Sequence, residues 1–108
     1  EESESCVHVL TADGFCENLV ERRDVLDRWT LYHTRGPKER HLCQLDYLMA
    51  SPALAAANPD VRPDIIRNGQ PFRTIFPPGQ EVELYPRTGW DRPKASDHCP
   101  VAVSLSLA

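Results

Sequence analysis

The sequence lacks any apolar run approaching the roughly 18 residues of a bilayer span, so no transmembrane helix is expected among its 108 residues. It also lacks an excess of positive charge. Lys and Arg number 12 against 16 Asp and Glu, for a formal net charge of −4. That excludes a basic nucleic-acid-coating protein at the level of the whole chain and leaves only local basic patches open. Glycine is scarce, five residues against ten prolines. The prolines fall mostly between Pro59 and Pro100, so the second half is expected to run as ordered loops rather than helices. No C-x-x-C pair occurs: Cys6, Cys16, Cys43 and Cys99 are scattered, which makes a poor zinc signature. A disulfide framework is open, but a 41% hydrophobic content does not require one, and free, buried or half-buried thiols are the expectation. His33, His41 and His98 likewise lack ligand spacing to any cysteine except the adjacent Cys99. No h-region follows the acidic run Glu1-Glu2-Ser3-Glu4-Ser5, so no signal peptide is read in this chain; the location stays open, with a cytoplasmic one favoured over a signal already removed or a fragment.

What is present reads as one folding unit without repeats. Helical spacing of Phe15, Leu19, Val20, Val25 and Leu26 predicts a helix over 15–27. Trp29-Thr30-Leu31-Tyr32-His33-Thr34 is β-rich and stops at the breaker Arg35-Gly36-Pro37. Residues 41–51 predict a central strand with Leu45, Tyr47 and Met49 on one face and Gln44, Asp46 and Leu48 on the other. Ser51 as N-cap and Pro52 at the first position predict a short helix over 52–57, ended by Asn58-Pro59. Short strands are expected at 61–66 and 82–85. The alternation of Val101, Val103, Leu105 and Leu107 with Ala102, Ser104 and Ser106 gives the clearest strand of all. The expected fold class is α+β: one antiparallel-rich sheet of about four strands with one or two helices on a face.

Two polar clusters lie beside these strands. Asp46 interrupts the apolar run Leu42-Cys43-Gln44-Leu45-Asp46-Tyr47-Leu48-Met49. Burying a carboxylate there is costly unless it is paired, and by itself Asp46 reads equally as an edge residue bonded to a backbone amide or an arginine. Ser96-Asp97-His98-Cys99-Pro100 precedes the last strand. A carboxylate that can hold a hard cation there adjoins an imidazole that can hydrogen-bond a phosphate oxygen. A lone Asp-His pair is a weak motif. The combination is stronger, because a buried Asp on one strand can accept from the ring of a His on its neighbour and so fix the tautomer.

Gln44-Leu45-Asp46-Tyr47-Leu48-Met49-Ala50-Ser51 followed by Pro52-Ala53-Leu54 resembles the "(R)IDYILVS…L" strand of the endonuclease/exonuclease/phosphatase superfamily, whose fold is DNase I-like. Ala95-Ser96-Asp97-His98-Cys99-Pro100-Val101 resembles that family's C-terminal "SDHxPV" signature, and 15–34 is similar to its "GF.D…L…W T(Y)" stretch. The resemblance covers residues 9–108, with 1–8 as an acidic leader. It implies that His98 is the catalytic histidine at the scissile phosphate. Asp46 would be the catalytic carboxylate that orients it, Asp97 a metal ligand for Mg²⁺ or Mn²⁺, and Ser96 a residue that either supports these side chains from behind or caps the backbone beside them. Gln44 departs from the family, which often carries a basic residue there, although Arg40 and His41 lie close upstream.

The family builds its site from two facing halves, and the first supplies an Asn, a metal-binding Glu and a "GDFN" run. No G-D-x-N run occurs here. The resemblance is therefore to the C-terminal half of a two-sheet DNase I-like sandwich, and alone the chain is expected not to be a competent catalyst. Two functions follow as expectations. One is the C-terminal part of a metal-dependent phosphoesterase acting on a phosphate-ester substrate, with nucleic acid among the candidates. The other is a non-catalytic half-fold serving as a binding or assembly module. In either case the apolar inner face of a lone half-sandwich calls for cover, by the N-terminal half or by self-association.

Overall fold

The computed structural model describes residues 8–36, 39–94 and 96–107, the side chains of 34–41 excepted. Cys6 and most of the acidic leader thus lie outside the described residues. The fold is α+β, as its mixture of short strands and helical turns requires. Among the described residues the strands are β1 (Glu17–Asn18), β2 (Leu31–Gly36), β3 (Glu39–Cys43), β4 (Met49–Ala50), β5 (Asp64–Ile65) and β6 (Val101–Ala102); residues 8–11 are helical, and a second short helix is α1 (Pro52–Ala57). They do not form the single sheet of about four strands expected from the sequence. Three separate antiparallel pairs form instead: β1 with β4, β2 with β3, and β5 with β6.

Three sequence expectations fail for identifiable reasons. The helix over 15–27 is absent. Asp13 and Gly14 turn left-handed at φ of 55° and 73°, and 3₁₀ turns follow at Leu19–Arg22 and Val25–Asp27. Asn18 caps the first of these turns, its Oδ1 accepting from Val20 N–H at 3.2 Å. Leu19 and Val20 are buried while Phe15, Val25 and Leu26 are exposed, so the apolar residues never form one helical face. The long strand over 41–51 is split into β3 and β4 by an irregular 44–48 segment. No strand forms over 82–85, and the strand expected at 61–66 shrinks to β5.

The last strand is a partial success. Val101, Val103 and Leu105 are half-buried and Ala102, Ser104 and Ser106 exposed, the alternation read from sequence, but the ladder stops at Ala102. Leu107 is exposed as well. Beyond the ladder a side chain takes over the pairing. Asn58 Oδ1 accepts from Ser106 N–H at 2.8 Å and its Nδ2 donates to Ser106 O at 2.9 Å. The same Nδ2 donates to Leu54 O at 3.0 Å, closing the end of α1. The start of α1 is as expected: Ser51 Oγ accepts from Leu54 N–H at 3.2 Å and Pro52 occupies the first turn.

The core has two parts joined by Leu48. One gathers Val20, Trp29, Tyr32, Ile65 and Cys99; the other gathers Leu19, Ala50 and Ala55, with Leu54, Val103 and Leu105 against them. Arginines stitch the loops around them. Arg22 donates to Val61 O at 2.8 Å, Ala55 O at 3.0 Å and Asn58 O, collecting carbonyls at the end of α1. Arg67 is buried, lies 4.1 Å over the Trp29 ring, donates to Trp29 O at 3.0 Å and pairs with Asp27. Arg23 reaches Asp27 Oδ2 at 2.8 Å from the other side. Burial pushes the Asp27 carboxyl up, but the hydrogen bonds and charges of Arg67 and Arg23 outweigh it and hold the group below its ordinary value of 3.8.

The molecule is less compact than its mass suggests. Its radius of gyration is 15.5 Å, against about 13 Å for a folded chain of this length. Its accessible surface is 7420 Å², against about 6,100 Å² for a compact monomer of 12.2 kDa. Phe15, Val25, Leu26, Ile75 and Trp90 each keep more than half of their surface in water. Among the described residues no helix is long and apolar enough to cross a membrane.

Candidate active site

β2 and the residues leading into it hold the two polar clusters together. On one edge β2 pairs with β3, Leu31 opposite Cys43. On the other, Leu31 bridges His98, Tyr32 N–H donates to Asp97 O at 3.2 Å, and Cys99 N–H donates to Thr30 O at 2.6 Å. The Asp46 segment and the Asp97-His98 segment therefore flank the same stretch of chain.

Thr30, wholly buried, fixes both sides. Its N–H donates to Cys43 O at 2.9 Å, and its Oγ1 accepts from the backbone N–H groups of Leu45 and Asp46 at 3.0 and 3.1 Å. These two donors would otherwise belong to a strand ladder. Their capture by a side chain is why 44–48 leaves the extended pairing and why Asp46 turns to face the opposite segment. Tyr47 Oη, donating to Gln44 O at 2.9 Å, closes the same bend.

The result is a short contact across the site: His98 Nδ1 lies 2.7 Å from Asp46 Oδ2. A carboxylate only accepts, so Nδ1 carries the proton, and in the neutral ring Nε2 is left as the acceptor. Nε2 has no partner among the described residues. Both side chains are well exposed, 47% for His98 and 39% for Asp46, so the pair is open to a ligand. Ser96 Oγ accepts from His98 N–H at 3.0 Å and pins the backbone just before the ring.

Asp97 points elsewhere. Its Oδ1 is paired with Lys94 Nζ at 2.6 Å. Lys94 is the main reason its carboxyl lies below the ordinary range; it outweighs a partial burial that acts the other way, and the charges of His33 and Arg73 add to it. Lys94 is thus held by Asp97 and Arg73 by Asp91, while the carboxylate of Asp46 lies against the His98 ring. The arrangement does not suit a cation held by this chain alone. Mg²⁺ or Mn²⁺ takes about six oxygen ligands, whereas among the described residues no three His, Cys, Asp or Glu side chains gather to hold one. Asp97 could serve as one ligand at most, and only after giving up Lys94.

Sequence reasoning named His98, Asp46, Asp97 and Ser96; the fold joins Asp46 to His98 and Ser96 to the His98 backbone, and turns Asp97 to Lys94. It missed Thr30 and Gln70. Gln70 is buried, and its Nε2 donates to Cys99 Sγ at 3.3 Å and to Asp97 O at 3.4 Å, bracing the loop that carries His98. Thr30 lay inside a stretch read as β-rich, but nothing in the local pattern marked its hydroxyl. Gln70 sits in a turn-rich segment with no signal at all. Of the cysteines, Cys16, Cys43 and Cys99 are free, and burial pushes the Cys99 thiol up. Comparison with protein-family models, with curated proteins and with solved structures finds no match to this chain.

Proposed function

We propose that this chain is the C-terminal part of a divalent-metal-dependent phosphoesterase of the endonuclease/exonuclease/phosphatase superfamily, one half of a DNase I-like sandwich. The observation that carries the reading is the 2.7 Å contact between His98 Nδ1 and Asp46 Oδ2, made by residues 52 positions apart in two motifs that each resemble that family. In this reading Asp46 holds the imidazole and stabilises its charged form, and His98 Nε2 bonds a phosphate oxygen. During hydrolysis a water oxygen bonds to phosphorus, the ester P–O bond breaks, and the water proton ends on the leaving oxygen. His98 supports the charge on the phosphoryl oxygens as that exchange occurs. The cation implied by the resemblance does not fit the donor set of this chain by itself, so its remaining ligands belong to a partner: the N-terminal half, or a second copy.

The test is hydrolysis of bis(p-nitrophenyl) phosphate with Mg²⁺ or Mn²⁺, measured on the chain together with the rest of its reading frame. His98→Ala should cut turnover by about a hundredfold or more while the fold survives. Turnover within a few-fold of the unmodified protein rejects the role.

The exposed Phe15, Val25, Leu26 and Trp90 and the extended surface favour a second reading, a half-fold acting as a binding or assembly module. Sedimentation at micromolar concentration separates the outcomes. A two-fold dimer or a complex with an N-terminal partner supports assembly, and a clean monomer of 12.2 kDa removes it.

A further inference from the structure

Beside His98 lies a cavity of about 390 Å³, within the usual range of about 300–1,000 Å³ for small-ligand sites. Its walls are largely apolar, with Ile66, Tyr85 and Pro100, and its polar groups come from Gln70, Thr88, Ser96 and His98. Of the Asp46–His98 pair only His98 borders this space, and the Asp97–Lys94 pair does not. The walls are tied rather than loose. Tyr85 N–H donates to Asn68 O at 2.9 Å, Asn68 Nδ2 donates to Glu83 O at 2.7 Å, and Thr88 Oγ1 donates to Tyr85 O at 2.8 Å. On the far side Ile66 N–H donates to Pro100 O at 2.8 Å. Glycine at 69 leaves the Tyr85 ring bare toward the turn: a Cβ there would meet only Tyr85 Cδ2 and Cε2, at 4.0 Å. Tyr85 nonetheless keeps about half of its surface in water, so one aromatic ring stands ready for stacking.

We infer that this cavity receives the organic part of the phosphate ester, and that this part carries a flat ring. The inference rests on the phosphoesterase reading, because it takes the phosphate to sit at His98 Nε2. Three features point to a ring: an apolar wall, an open tyrosine face and a volume ample for two fused rings. A short alkyl group would leave most of that volume and the Tyr85 face unused. Among the described residues no Lys, Arg, Asp or Glu side chain lines the cavity, whose ring nitrogens are those of His98.

The test is an amide NMR titration of the full chain with 1-naphthyl phosphate, 1-naphthol and methyl phosphate. The inference expects both naphthyl compounds to shift the amide signals of Ile66, Gly69 and Thr88. It expects 1-naphthyl phosphate to bind about tenfold or more tightly than methyl phosphate. Gly69→Leu, which fills the cavity from a position with room for a side chain, should remove that advantage and leave methyl phosphate unchanged. Tyr85→Ala should reduce it several-fold and serves if Gly69→Leu does not fold. His98→Ala should weaken 1-naphthyl phosphate by a clearly larger factor than 1-naphthol, which meets His98 only at the cavity edge. If neither naphthyl compound moves those signals, or the ring brings no gain over methyl phosphate, the cavity assignment is overturned and the role of His98 is untouched. If 1-naphthol binds but the phosphate adds no affinity dependent on His98, the phosphoesterase reading fails and the ester assignment falls with it.

Discussion

Replacing Thr30 by valine removes one oxygen and keeps the volume. That oxygen accepts from two backbone N–H groups, of Leu45 and Asp46. A donor left unpaired in the interior costs about 1–3 kcal/mol. Leu45 is exposed and Asp46 half-buried, so water recovers part of this, and the expected loss is about 2 kcal/mol for the pair. For a domain of this size that corresponds to a fall of about 10 °C in Tm. Thr30→Ser keeps the oxygen and loses a buried methyl, at about 1 kcal/mol, and so separates packing from hydrogen bonding. The two variants should differ most at the site itself. The ¹H–¹⁵N signal of His98 Nδ1–H, bonded to Asp46, should persist in Thr30→Ser and broaden or disappear in Thr30→Val. Urea unfolding gives the free energies and histidine ¹⁵N spectra give the contact. A Thr30→Val protein as stable as the unmodified one, with the His98 signal unchanged, would refute the claim that this hydroxyl positions Asp46.

Asp27→Asn leaves the buried Arg67 guanidinium without its charge partner and should cost about 3 kcal/mol in urea unfolding. Because the Asp27 carboxyl is lower in the folded chain than in the unfolded one, its contribution is fully present above pH 3.8 and is lost as the pH falls through the lower folded value. Acid unfolding of Asp27→Asn should accordingly be less steep below that pH. Gly89→Ala would place a Cβ 1.9 Å from Arg92 O, a backbone atom, so the 88–93 loop must move and the signals of Thr88 and Trp90 should shift widely. Cys99, buried and with its thiol pushed up, should react with a thiol reagent at pH 8 well after Cys16 and Cys43, as read by peptide mapping.

Local chemistry was legible where a single residue decides the outcome. Ser51 and Pro52 start α1 because a hydroxyl acceptor and a fixed φ serve a helix start whatever surrounds them. The alternation after Pro100 survives as alternating burial because a pleat places successive side chains on opposite sides, with or without a ladder. The 15–27 helix failed because spacing counts apolar residues without knowing which are covered. Leu19 and Val20 are buried whereas Phe15, Val25 and Leu26 are exposed, although a helix would place Phe15 and Leu26 on the same stripe as Leu19.

The site was half legible for a related reason. Motif resemblance named Asp46, Ser96 and His98, whose polar atoms their types already declare: a carboxylate, a serine hydroxyl, an imidazole. What brings them together is pairing between distant stretches of chain, and that pairing runs through backbone groups that every residue possesses. Thr30 meets Cys43, Leu45, Asp46 and Cys99, four partners on two segments, and all four bonds use a backbone N–H, two ending on the hydroxyl oxygen and two on a carbonyl. Asn58 does the same for Ser106, standing in for a strand that is not there. In both places a polar side chain takes over the role of a ladder neighbour, so a strand ends where the residue pattern would let it continue. Period-two patterns carry no mark of such substitutions, because they record which face a side chain takes and not which group its peptide bonds. The irregular 44–48 segment is thus what frees Asp46 from a central ladder and turns its carboxylate toward His98. A regular strand over 41–51 would have pointed the Leu45 and Asp46 amides to its two opposite edges, so that they could not both reach Thr30 Oγ1.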